Sequence, residues 1–149
     1  MTNFQFAQKA VVTSGGRILL VRKSAEDPNS PGSWDLPGGR MKGSEGVDEH
    51  LAREVREETG YIVIPGRPID LWSWDMSWDG QPVRVLAVSR YCHLAEDGPQ
   101  ATRREPDDYL SAQRWFPLTD VDNIQMIPSQ LPTIKIVLNE LRPWKKTTP

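Results

Sequence analysis

Apolar and polar positions along this chain fall into two periods, two and about 3.6, and the switches between them mark its elements. In "FAQKAVVTSGGRILLVRKS" two aliphatic runs flank Ser14-Gly15-Gly16, which predicts two strands around a tight turn. The polar stretch "AEDPNSPGS", with two prolines, predicts a loop. "WDLPGG" begins extended, because Leu36 precedes a proline, and its glycine pair is expected to break regular structure. Val47, Leu51 and Val55 then recur every fourth residue and predict a helix from Val47 to Thr59, stopped by Gly60.

The second half returns to period two. Trp72, Trp74, Met76 and Trp78 alternate with Ser73, Asp75 and Ser77, and Asp79-Gly80 supplies a tight turn, so "LWSWDMSWDGQPVRVLAV" reads as a hairpin. The returning strand, Pro82 to about His93, is apolar on both faces from Val85 to Val88, which predicts a buried middle. After the polar loop "EDGPQATRREPDD" comes a short strand, "SAQRWFPL". A last helix follows, with Ser129 as its expected cap, Leu131, Ile134, Leu138 and Leu141 on one face, Val137 beside them, and Pro143 as its end. Strands, helix, strands, helix predict a mixed sheet covered by helices in one domain, residues 1–149.

Composition narrows the function. A chain of 149 residues, 38% hydrophobic and 26% charged, suits one soluble globular domain. A formal net charge of −2 provides no basic field for a nucleic-acid polymer or an anionic membrane. Any anionic ligand therefore needs a metal ion or a few placed cations. The single cysteine, Cys92, excludes an intrachain disulfide and sits in an apolar strand, so it reads as a buried, inert thiol. No leader-like segment and no run of apolar residues long enough for a membrane span is present, and the expected location is cytoplasmic.

The first helix carries the chemistry. Glu54, Glu57 and Glu58 stand at i, i+3 and i+4, which places three carboxylates on one face. Like charges so placed cost a few tenths of a kcal/mol per exposed pair, only partly offset by Arg53 and Arg56. Carboxylate oxygens grouped in this way suit a hard divalent cation such as magnesium, whose remaining positions go to phosphate and water. The chain has no Cys/His cluster to favour zinc. Glutamate-rich helix faces are also common as plain solvated surface, so the cluster alone leaves both readings open.

A wider window separates them. Gly39, five residues, Glu45, seven residues, Arg53-Glu54-Val55, one residue, Glu57-Glu58, one residue, Gly60-Tyr61 resembles the Nudix box, with Tyr61 where an aliphatic residue is usual. "GSWDLPGG" before it and "RWFPLTDV" after it are similar to the same superfamily. The resemblance implies an α/β/α sandwich with a mixed sheet. It implies that Glu54, Glu57, Glu58 and the backbone at Gly39 hold magnesium, with manganese able to substitute, and that Arg53 and Glu45 orient the ligand carboxylates. His50 departs from the family, which usually has a small residue there; packing or solvent exposure is its ordinary reading and a catalytic role the rarer one.

The implied reaction is attack of water on phosphorus in a nucleoside diphosphate joined to another group. Its base is Glu54, Glu57 or an acid of the later loop, where Glu105, Asp107 and Asp108 stand. Substrate contacts are expected from Arg22, Lys23 and Arg40 toward phosphates and from Trp72, Trp74 or Trp78 toward a base, with Glu105 and Asp108 alongside. Surface solvation and core packing are the ordinary roles of such residues. Within the resembled family, a compact domain without the downstream proline of the ADP-ribose enzymes or the tyrosine of the dinucleoside-polyphosphate enzymes looks more like those that cleave nucleoside triphosphates, oxidised ones included, to monophosphate and pyrophosphate. ADP-ribose, dinucleoside polyphosphates, sugar nucleotides and a non-catalytic nucleotide sensor remain alternatives. The expected partner is a small nucleotide, bound by a monomer or homodimer.

Overall fold

A computed structural model describes residues 3–96 and 110–141. Its strands are β1 (Asn3–Ser14), β2 (Arg17–Lys23), β3 (Trp34–Asp35), β4 (Gly38–Arg40), β5 (Val63–Trp78), β6 (Gln81–Leu94) and β7 (Leu110–Pro117). Helix α1 (Val47–Thr59) lies between β4 and β5, and α2 (Leu131–Leu141) ends the described chain. The sheet runs β3-β2-β1-β6-β5, with β4 also paired to β1 and β7 to β2. β1 and β6 are parallel and the other pairs antiparallel, so the sheet is mixed.

Alternate residues of the central strands feed two cores. Val11, Ile18 and Leu20 pack with Ile134, Val137 and Leu138 of α2. Ala10, Val12 and Leu19 pack with Leu51 and Val55 of α1. The sheet is thus sandwiched between its two helices, as expected. Both hairpin turns use left-handed backbone: Gly15 and Gly16 at φ 57° and 74°, Asp79 and Gly80 at 50° and 74°. α1 has the predicted limits, with Asp48 and Glu49 in its first turn, Arg56 in its last, and Gly60 at φ 83° donating its N–H to the Arg56 carbonyl.

Four local expectations are corrected. The glycine pair does not break regular structure; Gly38–Arg40 forms β4, because a glycine lets the backbone lie against β1. A Cβ on Gly38 would stand 2.1 Å from the Gln8 carbonyl oxygen. The middle of β6 is buried on one face only, since Val83, Val85 and Ala87 are covered while Leu86 is 40% exposed. Ser129 lies inside a 3-10 turn, Pro128–Gln130, that leads into α2, so it does not cap the helix. The buried face of α2 is Thr133, Ile134, Val137 and Leu138, and Leu131 and Leu141 are exposed. Pro143 lies outside the described residues. Cys92 is buried, and burial pushes its thiol pKa up to about 12, which suits an inert role. No helix among the described residues is long and apolar enough to cross a membrane.

Candidate active site

Leu51 and Val55 seat α1 on the sheet, and this fixes which side of the helix meets β4. Two carboxylates of the predicted trio go there. The Gly38 N–H donates to Glu58 Oε2 at 2.9 Å. A Cβ on Gly39 would meet the Glu54 carboxylate at 3.1 Å, so glycine at this position makes room for that side chain. Glu57 turns elsewhere, accepting at 2.9 Å from Arg53 Nη1. Arg53 also grips Glu45 with two nitrogens, Nη2 at 2.7 Å and Nε at 3.0 Å. Its guanidinium therefore clamps the loop before the helix to the helix itself. Among the described residues, no three His, Cys, Asp or Glu side chains stand close enough together to hold a metal ion as they are.

The electrostatics of the pair facing β4 are unusual. Burial pushes the Glu58 carboxyl up to about 8, against the opposing pull of Lys9 and the Gly38 amide, with Glu54 and Asp35 adding to the rise. Burial also raises Glu54, with Arg53 opposing and Glu57 adding to the rise. Glu45, by contrast, is held low by its hydrogen bonds to Arg53. Carboxylates crowded away from water gain most from a nearby cation.

Lys9 stands between these carboxylates and a cavity of about 400 Å³. Its ammonium donates to Asp35 Oδ2 at 2.8 Å and to the Leu36 carbonyl at 3.3 Å. Burial alone would lower its pKa, but Asp35, Glu58 and Glu54 outweigh that and raise it. The cavity is walled by Trp72, Trp74 and Met76 and closed by Asp35, Ser129 and Gln130. Three buried polar atoms on its lining residues have no hydrogen-bond partner among the described residues: Asp35 Oδ1, Trp72 Nε1 and Gln130 Oε1. Each such group costs stability unless something satisfies it. A larger hollow of about 560 Å³, lined by Arg67, Tyr91 and Glu140, contains none of the box carboxylates.

The predicted substrate residues divide. Trp74 and Lys23 line the cavity. Trp78 is 45% exposed and lies outside it, under the Arg40 guanidinium at 4.2 Å. Arg40 also donates to Gln5, and Arg22 donates to the Gly32 carbonyl and faces Trp34, so neither lines the cavity. Glu105, Asp107 and Asp108 lie outside the described residues. Lys9, Asp35 and Gln130 were absent from the sequence-based expectation. The one available signal was Lys9, the single charge in β1.

Comparison with known proteins identifies the fold. A family model for the NUDIX domain matches residues 4–135. The chain is 26% identical over 128 residues to the Nudix hydrolase YvcI of Bacillus subtilis, covering 86% of this chain and 75% of that protein. It is 31% identical to the 8-oxo-dGDP phosphatase NUDT18 of Homo sapiens over 104 residues, 70% of this chain but only 29% of that longer protein. The fold superposes on a NUDIX hydrolase from Nitrosomonas europaea with a TM-score of 0.71 at 19% identity, covering 94% of this chain and 90% of the other.

Proposed function

Because the chain belongs to the Nudix hydrolase family, we propose that it is a divalent-metal-dependent pyrophosphohydrolase. Its substrates are nucleoside diphosphates joined to another group. Nucleoside triphosphates, oxidised ones included, are the favoured members, cleaved to monophosphate and pyrophosphate. The observation that carries this reading is the placement of Glu54 and Glu58 against β4, across Lys9 from a cavity walled by Trp72 and Trp74. The name of the NUDT18 relative supports the oxidised-nucleotide preference.

The donor set fits a hard cation. It offers carboxylate oxygen, two of its groups are disfavoured as bare anions, and glycines leave space beside them. Glu54, Glu58 and the Gly39 backbone would hold magnesium or manganese, and Glu57 would join them on leaving its hydrogen bond to Arg53. When bound, the metal neutralises phosphate oxygens and lowers the pKa of water. Arg53 and Glu45 set the orientation of the carboxylates by their shared hydrogen bonds. Glu57 has the more exposed side chain, 34% against 17% for Glu54, so it is the better placed of the two to take the proton from an attacking water. Lys9 supplies the fixed positive charge at the mouth between carboxylates and cavity. The cavity takes the base between its aromatic walls, Trp72 and Trp74.

The test is a panel of nucleoside triphosphates, 8-oxo-dGTP, 8-oxo-dGDP, ADP-ribose, dinucleoside polyphosphates and sugar nucleotides, run with magnesium and with manganese. Hydrolysis with pyrophosphate release from the triphosphates is expected. Glu57→Gln and Glu58→Gln should each lower kcat by roughly 10² or more without unfolding the protein. Near-normal turnover in both variants would reject the assigned roles, and binding without turnover by the wild type would move the protein to the sensor reading.

A further inference from the structure

His50 is fully buried, at 0% exposure, on the face of α1 that meets β1. An apolar residue would fill that volume without bringing in two ring nitrogens that need partners. One nitrogen has its partner. Nδ1 lies 2.8 Å from Gln8 Nε2. Which end of the Gln8 amide points there is settled by two other contacts. Gln8 Nε2 donates to the Val47 carbonyl at 2.7 Å, and Gln8 Oε1 accepts from Arg90 Nη1 at 3.2 Å. Arg90 is itself anchored, by the Gly66 carbonyl at 2.9 Å and Asp48 Oδ1 at 2.7 Å. The amide thus presents N–H to the ring, Nδ1 must accept, and the ring proton of the neutral imidazole sits on Nε2.

That Nε2 is buried and has no hydrogen-bond partner among the described residues. The polar atom it faces is Glu54 Oε1, 3.6 Å away and one helical turn on. Arg53 Nη2 approaches the same oxygen at 3.5 Å. Both donors therefore approach Oε1, and both oxygens of the carboxylate border the space left by Gly39, Oε2 at 3.1 Å and Oε1 at 3.2 Å from where a Cβ would stand. We propose that His50 is a positioning residue for Glu54: Gln8 sets its tautomer, and its Nε2–H, 3.6 Å from Oε1, closes onto that oxygen when the cation is bound and so fixes the orientation of the carboxylate beside Gly39. This inference rests on the reading of Glu54 as a metal ligand. A donor behind a ligand carboxylate steers it without touching the metal.

The test uses the full chain and Mn2+ as the probe, with binding followed by electron paramagnetic resonance and the ring followed by long-range 1H–15N NMR. The wild type should show the Nε2–H pattern for the neutral ring. His50→Met, which keeps the volume and loses the donor, should weaken Mn2+ binding about tenfold or more. His50→Gln, whose amide can donate to the same oxygen, should recover most of that loss. Unchanged Mn2+ affinity in His50→Met, equal loss in the Met and Gln variants, or an Nδ1–H pattern in the wild type would each overturn the proposal. Should His50→Met not fold, Gln8→Met reads the same relay. It should shift the ring toward Nδ1–H and weaken Mn2+ several-fold, and no change in either would overturn the proposal. Mn2+ binding that Glu54→Gln abolishes but His50→Met spares removes this inference alone. A wild type that binds no Mn2+ removes the metal reading together with it.

Discussion

The two helices bury the same number of side chains on opposite faces of one sheet and do different things with them. α2 buries Thr133, Ile134, Val137 and Leu138, and the single hydroxyl among these meets Ser89 Oγ at 3.0 Å. α1 buries His50, Leu51, Val55 and Thr59; its hydroxyl donates to the Val55 carbonyl, but its imidazole keeps an unpartnered nitrogen. Outside the buried stripe, α2 is tied to its neighbours at the surface, through Glu140 to Tyr91 and Arg67. α1 is tied at the surface through Asp48 to Arg90, and deeper through Gln8 on β1 and Gly38 on β4. Equal packing with unequal polar satisfaction separates a helix that supports the fold from one that supports a site, because stability is given up where groups must stay available.

The largest effects come from the packing that the helices share. Leu51→Ala and Ile134→Ala should each cost about 2–5 kcal/mol in urea unfolding. At a temperature where both variants remain folded, Leu51→Ala should lose far more turnover, since it loosens the turn bearing Glu54 and Glu58. Equal residual activity would erase the distinction. A smaller effect is expected from the two arginines. Arg53→Lys should lower kcat/KM about tenfold with little change in melting temperature, because an ammonium cannot grip Glu45 with a fork and reach Glu57 as well. Arg67→Lys should leave turnover unchanged.

The smallest effect is at Glu140. The Tyr91 hydroxyl and Arg67 hold its pKa below the ordinary value. A lowered folded pKa contributes stability that is present above the unfolded glutamate value and is lost as pH falls through the folded one. Glu140→Gln should therefore show a slight melting deficit at neutral pH that closes on acidification. A deficit that widens in acid would contradict the sign.

How much of this was readable beforehand depends on how local each cause is. The limits of α1 were legible because its apolar period and Gly60 act within a few residues, and the hairpin turn at Asp79-Gly80 for the same reason. Strand β4 was not, since its pairing depends on Gln8, some thirty residues earlier. The box positions were legible as a spacing, yet the spacing could not say that Arg53 draws Glu57 away from Glu54 and Glu58. Trp72, Trp74 and Trp78 look alike in a period-two pattern; only the packing puts the first two against the cavity and the third under Arg40. The setting of His50 required β1 and β6 to be laid beside α1, because both of its determinants, Gln8 and Arg90, come from other strands.

The parallel pairing of β1 and β6 carries a cost in time. Its register joins Asn3 to Val83, eighty positions apart, and continues to Val12 and Cys92. During synthesis at roughly 5–20 residues per second, the first strand waits some 4–16 s for its neighbour to leave the ribosome. A nascent chain interrupted before Gln81 carries the whole glutamate helix yet lacks Arg90 and the strand that closes the sheet against it. The setting of the glutamate helix is therefore completed late in biogenesis, and pairing of such long sequence separation makes for slow folding.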